Sequence, residues 1–216
     1  MRRSAWTAML AWIAAGCTAP AVTQRLRDYN DDGVFLFQQG AYEKARQTFE
    51  AALKMKPDDP NLLYNLGECH ARLGQAGPAE NCYQLCLKQS PNHAECRHAL
   101  AVLYYDIGDR PAAVRMVAEW KARNPTSSAP LAEDGYLWHR YGDLPQAVVV
   151  LEHALELDPH DVRALTELAH IYEDMHRPER SVVLYQEALR VKPNQADVEA
   201  RVKELQAQQV GRPRKD

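Results

Sequence analysis

The chain has 216 residues, 46% hydrophobic and 25% charged, which is the balance of a globular protein rather than a disordered or fibrous one. That length suits one medium domain or a short repeat array. Its formal charge of -3, from 26 basic and 29 acidic residues, leaves no electrostatic footprint for a nucleic-acid partner.

The N-terminal stretch differs from the rest. Arg2 and Arg3 precede an uncharged, mostly apolar run over 4–15, and Gly16-Cys17 follows. A charged start, a short apolar run and small residues are the layout of a secretory leader, and the run is too short to read as a membrane span. The Cys after small residues resembles the lipobox of bacterial lipoproteins, in which that Cys becomes the lipidated N-terminus. The resemblance implies a signal segment over 1–17, a lipid anchor on Cys17 and a place in the bacterial cell envelope, facing the periplasm. Ala14 stands where that family usually carries Leu, and an Ala-rich leader cut near Ala19 is the alternative reading. Residues 18–25 read as a short linker.

From residue 26 the chain repeats. Pro57, Pro91, Pro125, Pro159 and Pro193 recur every 34 residues, a register that chance would give on the order of once in 10^5. Gly33, Gly67, Ala101, Gly135 and Ala169 form a small-residue column at the same step, and Ala45, Ala79, Ala113, Ala147 and Ser181 form a second. Phe49, Tyr83, Val117, Leu151 and Tyr185 form a large apolar column. Gly40, Gly74, Gly108 and Gly142 mark a mid-unit turn, broken at His176.

Taken in chain order, the first unit (26–59) predicts a helix, the turn at Gly40 and a second helix over 42–56. The second (60–93) places Leu63, Leu66 and His70 on one helical face. The third (94–127) departs from the pattern with Arg97 at an apolar position and Trp120 at a small one, so a stack of the Arg97 guanidinium on Trp120 competes with Arg97 turned to solvent. Residues 124–130 read as the weakest joint, where bending between the third and fourth units is expected. The fourth unit (128–161) carries a second helix over 146–157. The fifth (162–195) sets Leu165, Leu168 and Tyr172 on one face. In each unit the Pro stops the second helix, because it lacks an N–H and restricts the residue before it. Residues 196–209 carry a stripe of Val198, Val202 and Leu205, expected to cap the open apolar end, and 210–216 form a basic tail.

These columns resemble the tetratricopeptide-repeat (TPR) family, whose 34-residue unit folds as helix–turn–helix. The resemblance implies an all-α, right-handed superhelical solenoid of five units with a C-terminal capping helix. In that family the first helix of each unit lines a concave groove that binds protein segments. Carried over by position, the groove residues are Phe37, Tyr64, Asn65, Glu68, Arg72, His98, Tyr105, Tyr136, His139, Arg140 and His170, with Phe37, Tyr64, Tyr105 and Tyr136 as anchors. The expected partner is another protein or a peptide, with the membrane reached only through Cys17. The implied role is a scaffold assisting a larger envelope machine, like the pilotins that serve outer-membrane secretins. The alternatives are a periplasmic maturation factor holding an unfolded client, and a metal- or redox-responsive protein.

That last alternative rests on Cys69, Cys82, Cys86 and Cys96, all within the second and third units. Four cysteines allow three full pairings, and spacing does not choose among them. Cys86 falls in a third small-residue column, with Ala52, Ala154 and Ala188 and with Trp120 as its outlier, and reads first as a buried free thiol. A disulfide involving Cys69, Cys82 or Cys96 is the second reading. Zinc held by His93, Cys96 and His98 with Cys82 and Cys86 is the third, weakened by the absence of a close CxxC pair. No bound metal and no cofactor is expected. The sequence carries no G-x-S-x-G, no H-E-x-x-H and no phosphate-binding glycine loop, so no enzymatic activity is expected.

Overall fold

The computed structural model describes the backbone of residues 7–210 and the side chains of residues 22–208. Arg2, Arg3, the side chain of Cys17 and the tail residues Arg212, Arg214 and Lys215 lie outside the described residues. Among those described there are eleven helices and no strand, and no helix is long and apolar enough to cross a membrane.

The chain divides into two compact units, Met1–Ile107 and Gly108–Asp216. The first holds α1 (Thr7–Gln38), α2 (Tyr42–Met55), α3 (Pro60–Arg72), α4 (Ala76–Gln89) and α5 (Ala94–Asp106). The second holds α6 (Arg110–Arg123), α7 (Ala129–Arg140), α8 (Leu144–Leu157), α9 (Val162–Asp174), α10 (Pro178–Val191) and α11 (Ala196–Val210). Residues 18–25, expected as a linker, are helical and lie within α1. The division falls between the two helices of the third repeat, and residues 124–130 lie inside the second unit. There Ser128 Oγ donates to Asp161 Oδ2 at 2.6 Å and Lys121 Nζ reaches Asp134 Oδ2 at 2.6 Å.

Local chemistry sets the helix ends. Asp59 accepts from the N–H groups of Asn61 and Leu62 at the start of α3, and Asp161 does the same for Arg163 and Ala164 in α9. Asp109 and Asp143 cap α6 and α8 through a single N–H each. An acceptor at this position satisfies donors that the first turn leaves open and is worth about 1 kcal/mol. The mid-repeat turns need a left-handed residue: Gly40, Gly74, Gly108 and Gly142 have φ between 71° and 84°. The fifth repeat keeps the same backbone without glycine, with His176 at φ 58°.

The two columns of small and large residues meet inside each hairpin. A Cβ placed on Gly33 would lie 2.6 Å from the Phe49 ring, on Gly67 2.5 Å from the Tyr83 ring, and on Gly135 2.4 Å from Leu151 Cγ. The large partner therefore fills the space that the missing side chain leaves, and Phe49, Tyr83 and Leu151 are at most 1% exposed. In the first unit, Phe49 packs with Ala45, Ala52, Leu62, Leu66, Cys69 and Cys82. In the second unit, one cluster runs from Leu131 and Ala132 through Leu151 to Leu168 and Tyr172. The Val198, Val202 and Leu205 stripe of α11 closes on Ala169, Val182 and Tyr185. Burial of each such aliphatic side chain is worth about 1.5–3 kcal/mol.

Arg97 neither turns to solvent nor stays free. It is buried, and its Nε donates to the Pro91 carbonyl oxygen at 3.0 Å. Trp120 is buried within the second unit.

Candidate peptide-binding faces

In each compact unit the first helices of successive repeats lie side by side, α1 with α3 and α3 with α5 in one, α7 with α9 in the other. Their helical period turns one row of side chains away from the paired second helices. Most of the residues expected in the groove stand there, half-buried rather than fully solvated.

On the first unit, Asn65 Nδ2 donates to Asn30 Oδ1 at 3.2 Å and ties α3 to α1. The Arg72 guanidinium sits 5.8 Å from the centroid of the Phe37 ring, so these two expected residues form one patch. Tyr64 packs between the Tyr83 ring at 6.4 Å and the His93 ring at 5.7 Å. Burial, helped by the nearby Glu68 charge, pushes the Tyr64 hydroxyl up to about 12. Tyr83 OH donates to Glu68 Oε1 at 2.6 Å, which fixes that carboxylate on the face. His98 and Tyr105 are half-buried on α5. Beside this row, a hollow of about 280 Å³ is lined by Arg27, Asn30, Asp31, Asp59 and Asn61.

On the second unit, Tyr136 lies under the Arg163 guanidinium, 5.8 Å from its ring centroid. Arg163 also pairs at 2.8 Å with Glu133, which is 1% exposed. His139 stands between two carboxylates: Nδ1–H donates to Glu167 Oε1 and Nε2–H to Asp174 Oδ2, each at 2.8 Å. The Glu167 hydrogen bond chiefly raises the imidazole above its ordinary value, against the cost of burial and with further help from Asp174. With both ring nitrogens donating, the imidazolium is the form that fits. The exposed His170 ring packs edge-on against Tyr185, 5.4 Å away. Arg140 is exposed at the end of α7. A cleft of about 530 Å³ opens between His139, His170, Asp174 and the α11 residues Asp197 and Arg201. Arg201 Nε donates to Glu173 Oε2 at 2.6 Å, and Tyr185 OH donates to Glu173 Oε1 at 2.6 Å.

Sequence reasoning missed two residues, Asp174 and Arg201, and the pairing of Glu133 with Arg163, both of which stand on the expected first-helix face. Glu133 and Arg163 join α7 to α9 but are 30 residues apart, with no local signal linking them. Asp174 completes the His139 bridge from the adjacent first helix. Arg201 comes from the capping helix, which had been read only for its apolar stripe. Position by position, though, Glu133 and Glu167 fall one repeat apart in the same column, and that spacing could have flagged a row of acidic groups.

The cysteines resolve differently from their first reading. Cys86 is not a free thiol; it is joined to Cys96, with Cα atoms 6.7 Å apart. Cys69 and Cys82 are buried free thiols, pushed up by burial to about 12 and about 11. The Cys/His set is smaller than expected. Cys86, His93 and Cys96 converge, while Cys82 packs in the core around Phe49 and His98 is not in the group.

The comparisons with known proteins agree with this architecture. A family profile described as TPR repeat matches residues 35–74, and two described as tetratricopeptide repeat match residues 60–93 and 139–208. The chain is 36% identical over 81 residues to the outer dynein arm-docking complex subunit 4 of Danio rerio, covering 38% of this chain and 17% of that protein. It is 32% identical over 88 residues to human tetratricopeptide repeat protein 16, covering 41% of this chain and 10% of that protein. The chain thus spans a small fraction of the length of the curated relatives it matches. Among solved structures, a thermophilic TPR protein of Thermus thermophilus superposes with a TM-score of 0.64 at 24% identity, covering 84% of this chain and 99% of that one. A MamA double mutant superposes at 0.50 with 18% identity, covering 86% and 96%. At these identities the structural likeness speaks for the fold alone. With the 34-residue register, the helix–turn–helix hairpins and the matched profiles taken together, the chain belongs to the tetratricopeptide-repeat family.

Proposed function

We propose that this chain is a protein–protein interaction scaffold that holds an extended peptide or a partner helix against its first-helix faces. The observation that carries this reading is the row of half-buried aromatic and hydrogen-bonding side chains there. Phe37 under Arg72, Tyr64, and Tyr136 under Arg163 are each held in place by a neighbour before any partner arrives. Rigid aromatics beside oriented amides and carboxylates suit a polypeptide ligand, because little side-chain freedom is lost on binding. The relatives' own partners are not carried over, since the matched stretch is a minor part of those proteins.

The test is affinity capture with the full chain, identification of the captured segment by mass spectrometry, and titration of that segment as a synthetic peptide. Tyr64→Ala or Tyr136→Ala should weaken its binding about tenfold or more, the size expected for an aromatic anchor. Equal binding by both variants sinks the assignment of these faces.

The envelope placement is a second part of the proposal. The leader over 1–17 with its lipobox-like Cys17 supports it, and so does the Cys86–Cys96 disulfide, since such bonds persist in exported compartments. A role in assisting an outer-membrane machine, as pilotins do, rests on that leader and the repeat architecture together. Metabolic labelling with palmitate should mark the wild type and not Cys17→Ser. An unlabelled wild type removes the anchor and leaves the scaffold reading untouched.

A further inference from the structure

Beneath the Tyr64 anchor, whose ring packs on His93, three side chains meet where α4 gives way to α5. Cys86 comes from the last turn of α4 and Cys96 from the first turn of α5. His93 caps α5, and a ring nitrogen of His93 and the two sulfurs all lie within 4.8 Å of one another. Both cysteines are 0% exposed, whereas the His93 side chain is 11% exposed, so the imidazole lies on the solvent side of the group.

A disulfide uses only two of these three. The imidazole is also oriented for something more than capping. Its Nε2–H donates to Asn61 Oδ1 at 3.1 Å, which turns Nδ1 toward the start of α5, where it accepts the Cys96 N–H at 3.3 Å. An imidazole whose far N–H is held by an oxygen acceptor, and which has a nitrogen within 4.8 Å of both sulfurs, resembles a metal-ligating histidine with its outer partner; to ligate, Nδ1 gives up the Cys96 N–H and stays beside Glu95 Oε2, 3.2 Å away. Two thiolates and one imidazole select zinc or copper(I) over the hard cations magnesium, calcium and manganese.

We propose that, when the Cys86–Cys96 bond is reduced, Cys86, Cys96 and His93 form a three-ligand site for zinc(II), with solvent in the fourth position. The chemistry balances in two steps. A phosphine reductant gives two electrons to the disulfide, takes an oxygen from water and leaves as its oxide, and the two sulfurs become thiols. Zinc then displaces both thiol protons to solvent. Thiolate ligands of one tetrahedral zinc, at about 2.3 Å each, sit close enough that side-chain rotation suffices when the backbones are already within disulfide reach. Cys69 and Cys82 belong to another cluster with no histidine in it and remain neutral thiols.

The full chain, reduced anaerobically and freed of reductant, is titrated with cobalt(II) and then zinc(II). The reduced chain should bind one equivalent of cobalt with a thiolate-to-cobalt charge-transfer band in the near ultraviolet, which zinc abolishes. The oxidised chain should show none. Cys69→Ala/Cys82→Ala should keep the band. His93→Gln, a change at the edge of the group that leaves both cysteines in place, should weaken cobalt binding about tenfold or more. The proposal is overturned if the reduced wild type gives no band, if the band survives in Cys86→Ser/Cys96→Ser, if it vanishes in Cys69→Ala/Cys82→Ala, or if His93→Gln binds as tightly as the wild type.

Discussion

Replacing His176 by glycine should stabilise the protein. His176 holds the turn between α9 and α10 at φ 58°, where the four earlier repeats place glycine. A side chain in that left-handed region costs about 1–2 kcal/mol. Glycine removes that cost but adds freedom to the unfolded chain, worth about 0.5–1 kcal/mol in the opposite direction. The His176 side chain is exposed, so few contacts are lost. The net gain is about 0.5–1 kcal/mol, or roughly 1–4 °C in melting temperature for a chain of this size. Gly142→Ala is the mirror experiment. Gly142 has φ 84° with no heavy atom within 4 Å of a Cβ, so only backbone conformation is perturbed, and the melting temperature should fall by a similar amount. Both variants are followed by circular dichroism and calorimetry on the full chain. If His176→Gly melts at or below the wild type while Gly142→Ala is neutral, the handedness of these turns carries no energetic weight and the reasoning fails.

Three further outcomes follow from the packing and the charges. Phe49→Ala should lose about 3–5 kcal/mol in denaturant titration, since Gly33 offers no side chain to fill the gap, whereas Phe49→Leu should lose less than about 1.5, because the fourth repeat already sets Leu151 against Gly135. Cys96→Ser should cost about 2.5–3 kcal/mol under non-reducing conditions, from the ten-residue separation it opens, and nothing extra once the wild type is also reduced. The His139 imidazole is raised in the folded state, so its stabilisation is fully present below the unfolded value of about 6.5 and is lost as pH rises through the folded value. The melting-temperature gap between wild type and His139→Gln should therefore be wider at about pH 5.5 than at about pH 8.5, and a gap independent of pH refutes the Glu167–His139–Asp174 bridge.

The hairpins were legible because their determinants are local and periodic. Pro57 to Pro193 stop the second helices, and the glycine column sets the turns; both signals lie within the hairpin they shape. The pairing of Gly67 with Tyr83 was readable as two columns, one small and one large. What the sequence did not reveal depends on contacts between repeats. Glu133 meets Arg163, and His139 meets Asp174, only once α7 and α9 are side by side. Cys86 sat in a small-residue column and so read as a core thiol. Its partner became visible only when α5 was placed, because three pairings of the four cysteines were equally open to spacing. The expected joint at 124–130 rested on two prolines and two serines, yet Ser128 bonds Asp161 and holds that stretch inside its unit. Composition there described a loop and carried no signal for the Ser128–Asp161 and Lys121–Asp134 contacts in and across it.

The close fit of Gly67 to Tyr83, and of Gly135 to Leu151, has an evolutionary side. Each tight pair is encoded within a single hairpin, so a duplication that copies a whole hairpin copies a matched set and leaves the interior filled. A crossover inside a hairpin separates the members. It could place Ala169's methyl where a glycine had stood, or Leu151 where Tyr83's hydroxyl had anchored Glu68. Arrays of this kind should therefore grow and shuffle by breaks near the prolines between repeats, and accept few at the glycines within them.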